Sequence, residues 1–286
     1  MRATQPFIGS SSTQLMAGRP ALLGCPLDMT TTYRHGCHKA PEAIRASSES
    51  IETFSPLFWR DLSDAPFSDI GDIEFKDNRI EPCLDLIQET AAHILEKKAI
   101  PLSLGGEHTI TLPIVKAVDT VHPGCVVMQL DAHTDLRSDY EGMRLNHATV
   151  MRRIAEAIGP DRIIQVGVRS GLKEEFEWMR NHETLLAWQT LSPRQLARCI
   201  ASRPVYLTID VDVLDPACMP ATGNPEPGGL FYADLERFFR MMQSFQIVGA
   251  DVVELNPDLD PSEVGRITIA KVVREVLLLV SGATLP

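Results

Sequence analysis

The chain has 286 residues, 44% of them hydrophobic, and a formal net charge of −11 at pH 7. That apolar content supports a sizeable core and excludes an intrinsically disordered chain. The negative charge argues against nucleic acid or an anionic membrane surface as partner, and no apolar run approaches the length of a membrane span.

Residues 1–20 are polar, lack the apolar core of a signal peptide, and read as a flexible N-terminal extension. A first strand is predicted at Ala21–Cys25, followed by a helix with Leu84, Ile87, Ala91, Ile94 and Leu95 on one face. Strands at Ala99–Leu104 and Val126–Leu130 come next, then a helix carrying Val150, Ile154 and Ile158 that closes at Gly159. Strands at Arg162–Val168, Val205–Ile209 and Ile247–Val253 follow, and Ile269, Val272, Val273, Val276 and Leu277 mark a last helix. Each strand is a short continuous run rich in Val, Ile or Leu, as strands buried on both faces should be. Such alternation predicts one α/β domain over residues 1–286, a three-layer α/β/α sandwich around a mainly parallel sheet. Six scattered cysteines (Cys25, Cys37, Cys83, Cys125, Cys199 and Cys218) include no CxxC pair. They read as thiols of a reducing compartment, so a cytoplasmic protein is expected.

In sheets of this kind ligands bind beyond the carboxyl ends of the strands, and the chemically loaded motifs fall there. Val126–Leu130 runs into Asp131, His133 and Asp135, whose two-residue spacing lets an extended chain point all three the same way. Val205–Ile209 runs into Asp210 and Asp212, and Ala99–Leu104 into Gly105-Gly106-Glu107-His108. An Asp-x-Asp pair or a glycine turn alone is commonly structural. Four carboxylates and two imidazoles at one sheet edge are not, because uncompensated buried charge is too costly. Two divalent cations balance the four negative charges. Oxygen-dominated donors without cysteine disfavour structural zinc, the two histidines disfavour calcium and magnesium, and manganese fits best. Such a metal pair activates water as a nucleophile. Glu254 also follows a strand, where a carboxylate can pair with a planar guanidinium. His147, in the loop after the aspartate motif, is placed to carry a proton to a leaving amine. The plainer alternatives are a surface or helix-capping role for Glu254 and helix capping for His147.

Together these motifs resemble the ureohydrolase family, which includes arginase, agmatinase, guanidinobutyrase, proclavaminate amidinohydrolase and formimidoylglutamase. The resemblance runs from about Gly24 onward and is densest in Gly105–Thr111, Asp131–Arg137, Asn146–Arg152, Thr208–Ala217 and Gly249–Asn256. It implies that His108, Asp131, His133, Asp135, Asp210 and Asp212 hold two Mn2+ ions per subunit. It implies further that His147 shuttles protons, that Glu254 binds the guanidinium, and that the chain forms a homo-oligomer, commonly a trimer or hexamer.

The run Asp135-Leu136-Arg137 looks like agmatinases, since arginases usually carry asparagine at the place of Arg137. Gly167–Gly171 and Asp260–Glu263 look similar to agmatinases as well, so agmatine is the expected small-molecule substrate. Three places depart from that pattern: His38 and Ala40 in the first loop, Asn224 where relatives carry threonine near the guanidinium, and Gly265-Arg266. All three bear on the substrate's tail. Alternatives are another guanidino compound (guanidinobutyrate, guanidinopropionate, guanidine or arginine) and a non-catalytic metal-binding relative. A single-zinc deacetylase would need an adjacent histidine pair, and the sequence has no His-His. A third metal on His35, Cys37 and His38 is a weak match to ligand spacing.

Overall fold

A computed structural model describes Met1 and residues 5–282. In chain order its strands are β1 (Pro20–Cys25), β2 (Phe54–Ser55), β3 (Arg60–Asp61), β4 (Ser68–Asp72), β5 (Ile100–Gly105), β6 (Val126–Leu130), β7 (Ile163–Val166), β8 (Leu185–Leu186), β9 (Val205–Asp210) and β10 (Ile247–Val253). The helices are α1 (Ala40–Ser48), α2 (Ile80–Glu96), α3 (Thr111–Val121), α4 (Val150–Ile158), α5 (Lys173–His182), α6 (Pro193–Ile200), α7 (Tyr232–Met242) and α8 (Val264–Val280). Eight strands form one sheet in the order β4-β1-β5-β10-β9-β6-β7-β8, and every pairing in it is parallel. β2 and β3 form a separate antiparallel hairpin.

Side chains alternate between the two faces of the sheet and feed two apolar layers. Leu22, Met128, Leu130, Leu207 and Val252 join the layer under α7 and α8. Leu23, Val127, Tyr206 and Val253 join the layer under α2, α3 and α4. This is the expected three-layer α/β/α sandwich. No helix among the described residues is long and apolar enough to cross a membrane.

The chain order within the sheet brings β5, β10, β9 and β6 side by side at its centre. Since all run in parallel, their carboxyl ends open on one edge, where the connections diverge and leave a crevice. Four of the loaded motifs leave those four ends. At β5 the turn needs glycine for space, because a Cβ on Gly106 would lie 1.8 Å from the Leu27 carbonyl oxygen.

Two expectations require correction. Of the segment expected to be a flexible extension, residues 2–4 lie outside the described residues, but Phe7 is buried. Its ring packs on Phe67 and its N–H donates to Asp69 at 2.8 Å. Apolar burial together with a carboxylate acceptor fixes that segment against β4. Asp131, His133 and Asp135, moreover, are not gathered by strand alternation. β6 ends at Leu130, His133 bridges to Ser170, and Asp135 turns into the left-handed region at φ +52°. A turn, held by loop-to-loop hydrogen bonds, does the gathering.

Candidate active site

At the β6 end, buried Gln129 donates to Asp131 Oδ2 at 2.6 Å and is itself held by Gln165. The His133 N–H donates to Asp131 Oδ1 at 2.6 Å, so both oxygens of this fully buried carboxylate are aimed. At the β9 end, Asp212 accepts from the Ala132 N–H at 3.0 Å, and Asp210 accepts from the Asp212 N–H at 2.9 Å. Following β5, His108 opens a 3-10 turn that leads into α3.

These elements bring all six residues singled out as metal ligands together. His108 Nδ1 lies 3.2 Å from Asp131 Oδ2, 3.0 Å from Asp135 Oδ2 and 3.4 Å from Asp210 Oδ2. His133 Nδ1 lies 2.9 Å from Asp212 Oδ2 and 3.7 Å from Asp131 Oδ1. Two candidate donor sets result, His108–Asp131–Asp135 and Asp131–His133–Asp212, and Asp131 belongs to both.

The donor set fits a pair of divalent cations. An octahedral shell with bonds of about 2.1 Å spaces neighbouring donors about 3 Å apart, the separation seen around His108 Nδ1. That nitrogen is buried and makes no hydrogen bond of acceptable geometry. It therefore has the lone-pair environment of a ligand. With only the protein's own charges present, the cluster is electrostatically frustrated. Burial, together with Asp212 and Asp131, raises the Asp210 carboxyl well above its usual range, and burial with Asp131 raises Asp135 and Asp212 too. Asp131 moves the other way: burial would raise it, but the two imidazoles on either side of it prevail. Burial opposes charge on His133, yet Asp212 and Asp131 push it up to about 12. Protons thus occupy places that cations would fill at lower cost.

A cleft of about 290 Å³ lies over the cluster, lined among others by Arg137, Tyr140, His147, Glu175, Asn224 and Glu254. This is the low end for ligand pockets and suits a slender, unbranched molecule. Glu254 follows β10 in the left-handed region at φ +67°, a conformation that costs energy and is retained where the surroundings enforce it. Its N–H donates to the Gly106 carbonyl at 2.9 Å, and its Oε1 accepts from the His108 N–H at 2.6 Å. Burial raises its carboxyl well above the usual range, with nearby Glu107 and Asp212 adding to the shift. A cationic partner would relieve that. The same burial drives His147 down to about 4, so its ring is neutral at pH 7. Neither residue is a surface cap, although Asn146 does cap the 3-10 turn that His147 begins.

Sequence reasoning overlooked the support beneath His147. Glu107, fully buried, accepts from the Met29 and Thr30 N–H groups and from Thr30 Oγ1, at 2.6, 2.6 and 2.7 Å. Thr30 Oγ1 in turn accepts from the His147 N–H at 3.1 Å. The signal was available, since Glu107 sits between a glycine turn and a candidate ligand. In the first loop, His35 and His38 each place Nδ1 3.0 Å from an Asp28 oxygen, while the Cys37 thiol faces Thr31 and the Leu27 carbonyl. Gly265 has a packing reason, since a Cβ there would come 2.6 Å from that of Ala221, beside cleft residue Thr222.

Residues 19–279 match the family model for the arginase family. An agmatinase from Bacillus subtilis is 42% identical over 261 residues, 90% of each chain. A guanidinobutyrase from Pseudomonas aeruginosa is 32% identical over 95% of this chain and 89% of its own. Among solved structures, proclavaminate amidino hydrolase from Streptomyces clavuligerus superposes with a TM-score of 0.90 at 28% identity, covering 98% of both chains. The chain belongs to the arginase family and is a hydrolase acting on the carbon–nitrogen bonds of linear amidines.

Proposed function

We propose that this protein hydrolyses agmatine to putrescine and urea, with two Mn2+ ions per subunit. The observation that carries the choice of substrate is the 42% identity with the B. subtilis agmatinase across nine-tenths of both chains. The cleft supports the reaction class. His108, Asp131, Asp135 and Asp210 would hold one ion, and Asp131, His133 and Asp212 the other. When bound, the two ions supply an activated water and positive charge to offset the negative charge that develops during attack.

The chain's own residues account for the rest. Glu254, with Oε1 anchored on the His108 N–H, would hold the guanidinium planar and oriented over the cluster. Asn224, which also lines the cleft, would add a hydrogen bond to the same group. His147 is neutral at pH 7 and free to take a proton and pass it to the departing amine nitrogen. Its ring is steadied by edge contact with Tyr140 at 6.1 Å between centroids. By the family resemblance, the working form is a homo-oligomer, trimer or hexamer.

A second substrate has an observation in its favour. Arg137 lines the cleft, stacked 4.6 Å over the Tyr140 ring, and forms no ion pair among the described residues. A guanidinium so placed would suit a carboxylate tail, as in guanidinobutyrate. Urea release from manganese-loaded protein over agmatine, guanidinobutyrate, guanidinopropionate, arginine and guanidine separates the readings. We expect agmatine to give the highest kcat/KM. A higher value for guanidinobutyrate would transfer the assignment, and urea from none of them would end it.

A further inference from the structure

Behind His108, on the side away from the carboxylates, lies a buried polar group that the chemistry above does not use. Asp251 is fully buried in β10, and among the described residues it forms no ion pair with lysine or arginine. It is satisfied by three hydroxyls: Thr208 Oγ1 on Oδ1 at 2.6 Å, and Tyr206 Oη and Thr111 Oγ1 on Oδ2 at 2.6 and 2.9 Å. Thr208, in β9, also lies 2.9 Å from His108 Nε2.

Counting protons fixes the direction of every bond. Asp251 meets a hydroxyl on each oxygen and accepts from all three, so the Thr208 hydroxyl proton is committed to Asp251. The Thr208 oxygen is then left as an acceptor toward the imidazole, and the hydrogen between them must sit on His108 Nε2. A neutral imidazole carries one N–H, so Nδ1 keeps its lone pair. Nδ1 is the atom facing Asp131, Asp135 and Asp210 at 3.0–3.4 Å. The opposite tautomer would set the Nε2 lone pair against an oxygen that has no proton to give.

We propose that Thr208 and Asp251 are positioning residues that lock His108 in its Nε2–H tautomer and thereby fix the affinity of one of the two cation sites. The inference rests on the proposed metal centre. It assigns β9 and β10 a task besides carrying Asp210 and Glu254: they hold the acceptor relay that keeps His108 ready to coordinate. Among the described residues no hydroxyl relay contacts His133, whose ring meets Asp212 and Asp131 through Nδ1, so the effect is confined to the site that includes His108.

The test compares Thr208→Val and Thr208→Ser with the parent enzyme. Mn2+ binding to chelator-stripped protein is followed by calorimetry, and folding is checked by circular dichroism and Tm. Outer-sphere partners of a ligating histidine typically change metal affinity 10–100-fold. Thr208→Val should weaken one of two Mn2+ equivalents by roughly that factor and leave the other within about threefold, while Thr208→Ser retains both affinities. Unchanged binding of both ions to folded Thr208→Val would overturn the relay and leave the metal centre standing. Failure of the parent enzyme to bind Mn2+ would instead remove the centre. Should Thr208→Val not fold, Thr208→Ala, which removes the same hydroxyl with a smaller side chain, is titrated with Mn2+ in the same way. Selective weakening of one equivalent in folded Thr208→Ala supports the relay, and two unchanged affinities overturn it.

Discussion

Replacing Glu254 with glutamine separates substrate binding from metal binding. Glu254 Oε1 accepts from the His108 N–H at 2.6 Å, a bond the glutamine carbonyl can keep. The amide NH2 must then occupy the other branch, toward the cleft, where the guanidinium would present N–H donors. The variant therefore loses a charge-assisted hydrogen bond, about 1.5–3 kcal/mol, and sets donor against donor at a buried position, roughly another 1–3 kcal/mol. At 1.36 kcal/mol per tenfold, the combined loss of about 2.5–6 kcal/mol corresponds to a fall in kcat/KM of roughly 10²–10⁴-fold. Initial rates of urea release from agmatine measure this, with elemental analysis reporting bound manganese. Two equivalents of metal and a kcat/KM within tenfold of the parent would refute the guanidinium-binding role. Loss of metal would make Glu254 a support of the His108 turn instead.

The sharing of Asp131 between the two donor sets predicts that Asp131→Asn loses both ions, whereas Asp212→Asn and Asp135→Asn each weaken mainly one; equal stoichiometry in all three would contradict the sharing. Metal uptake should release protons, because Asp135 is raised, chiefly by burial, and His133 is pushed up to about 12, so both hold protons that a cation must displace. Affinity should accordingly rise with pH between about 5 and 8, and calorimetry in two buffers of different ionisation enthalpy tests this, with zero proton release as the contrary result. Arg45 is buried and bonded to Asp69 at 2.8 and 2.9 Å and to Asp72 at 2.5 Å. Arg45→Met would leave both carboxylates uncompensated, a loss of about 3–5 kcal/mol and about 10 °C in Tm for a chain of this size; a Tm within 2 °C of the parent would show that stability does not depend on this ion-paired cluster.

The central strands were legible because burial on both faces leaves an unbroken apolar run: β6 and β10 match their expected bounds, and β1, β5, β7 and β9 shift by one or two residues. β4 was not, since Ser-Asp-Ile-Gly-Asp shows neither apolar continuity nor alternation. It becomes a strand through pairing with β1 and the Arg45 bonds to Asp69 and Asp72, which are tertiary facts. α1 escaped for a related reason, since its buried face includes Arg45 and two serines rather than an apolar stripe. The ligand residues could be read because chain order implies strand ends, and strand ends in a parallel sheet meet. How Asp131, His133 and Asp135 converge could not, because it depends on a left-handed Asp135 and on Ser170 from the loop after β7. Of the cleft walls, Arg137 and Tyr140 follow the aspartate motif directly, whereas Glu175 comes from the first turn of α5, and no local pattern announces such a neighbour.

The clustered carboxylates and imidazoles are expected to hold two cations on which guanidinium hydrolysis depends. Titration of chelator-stripped protein with Mn2+, following bound metal and urea release from agmatine on the same samples, tests it most directly. Activity should be absent without metal and rise to its plateau as the second equivalent binds. Urea production that persists in the stripped protein, or two bound equivalents with no urea from any guanidino compound, would contradict it.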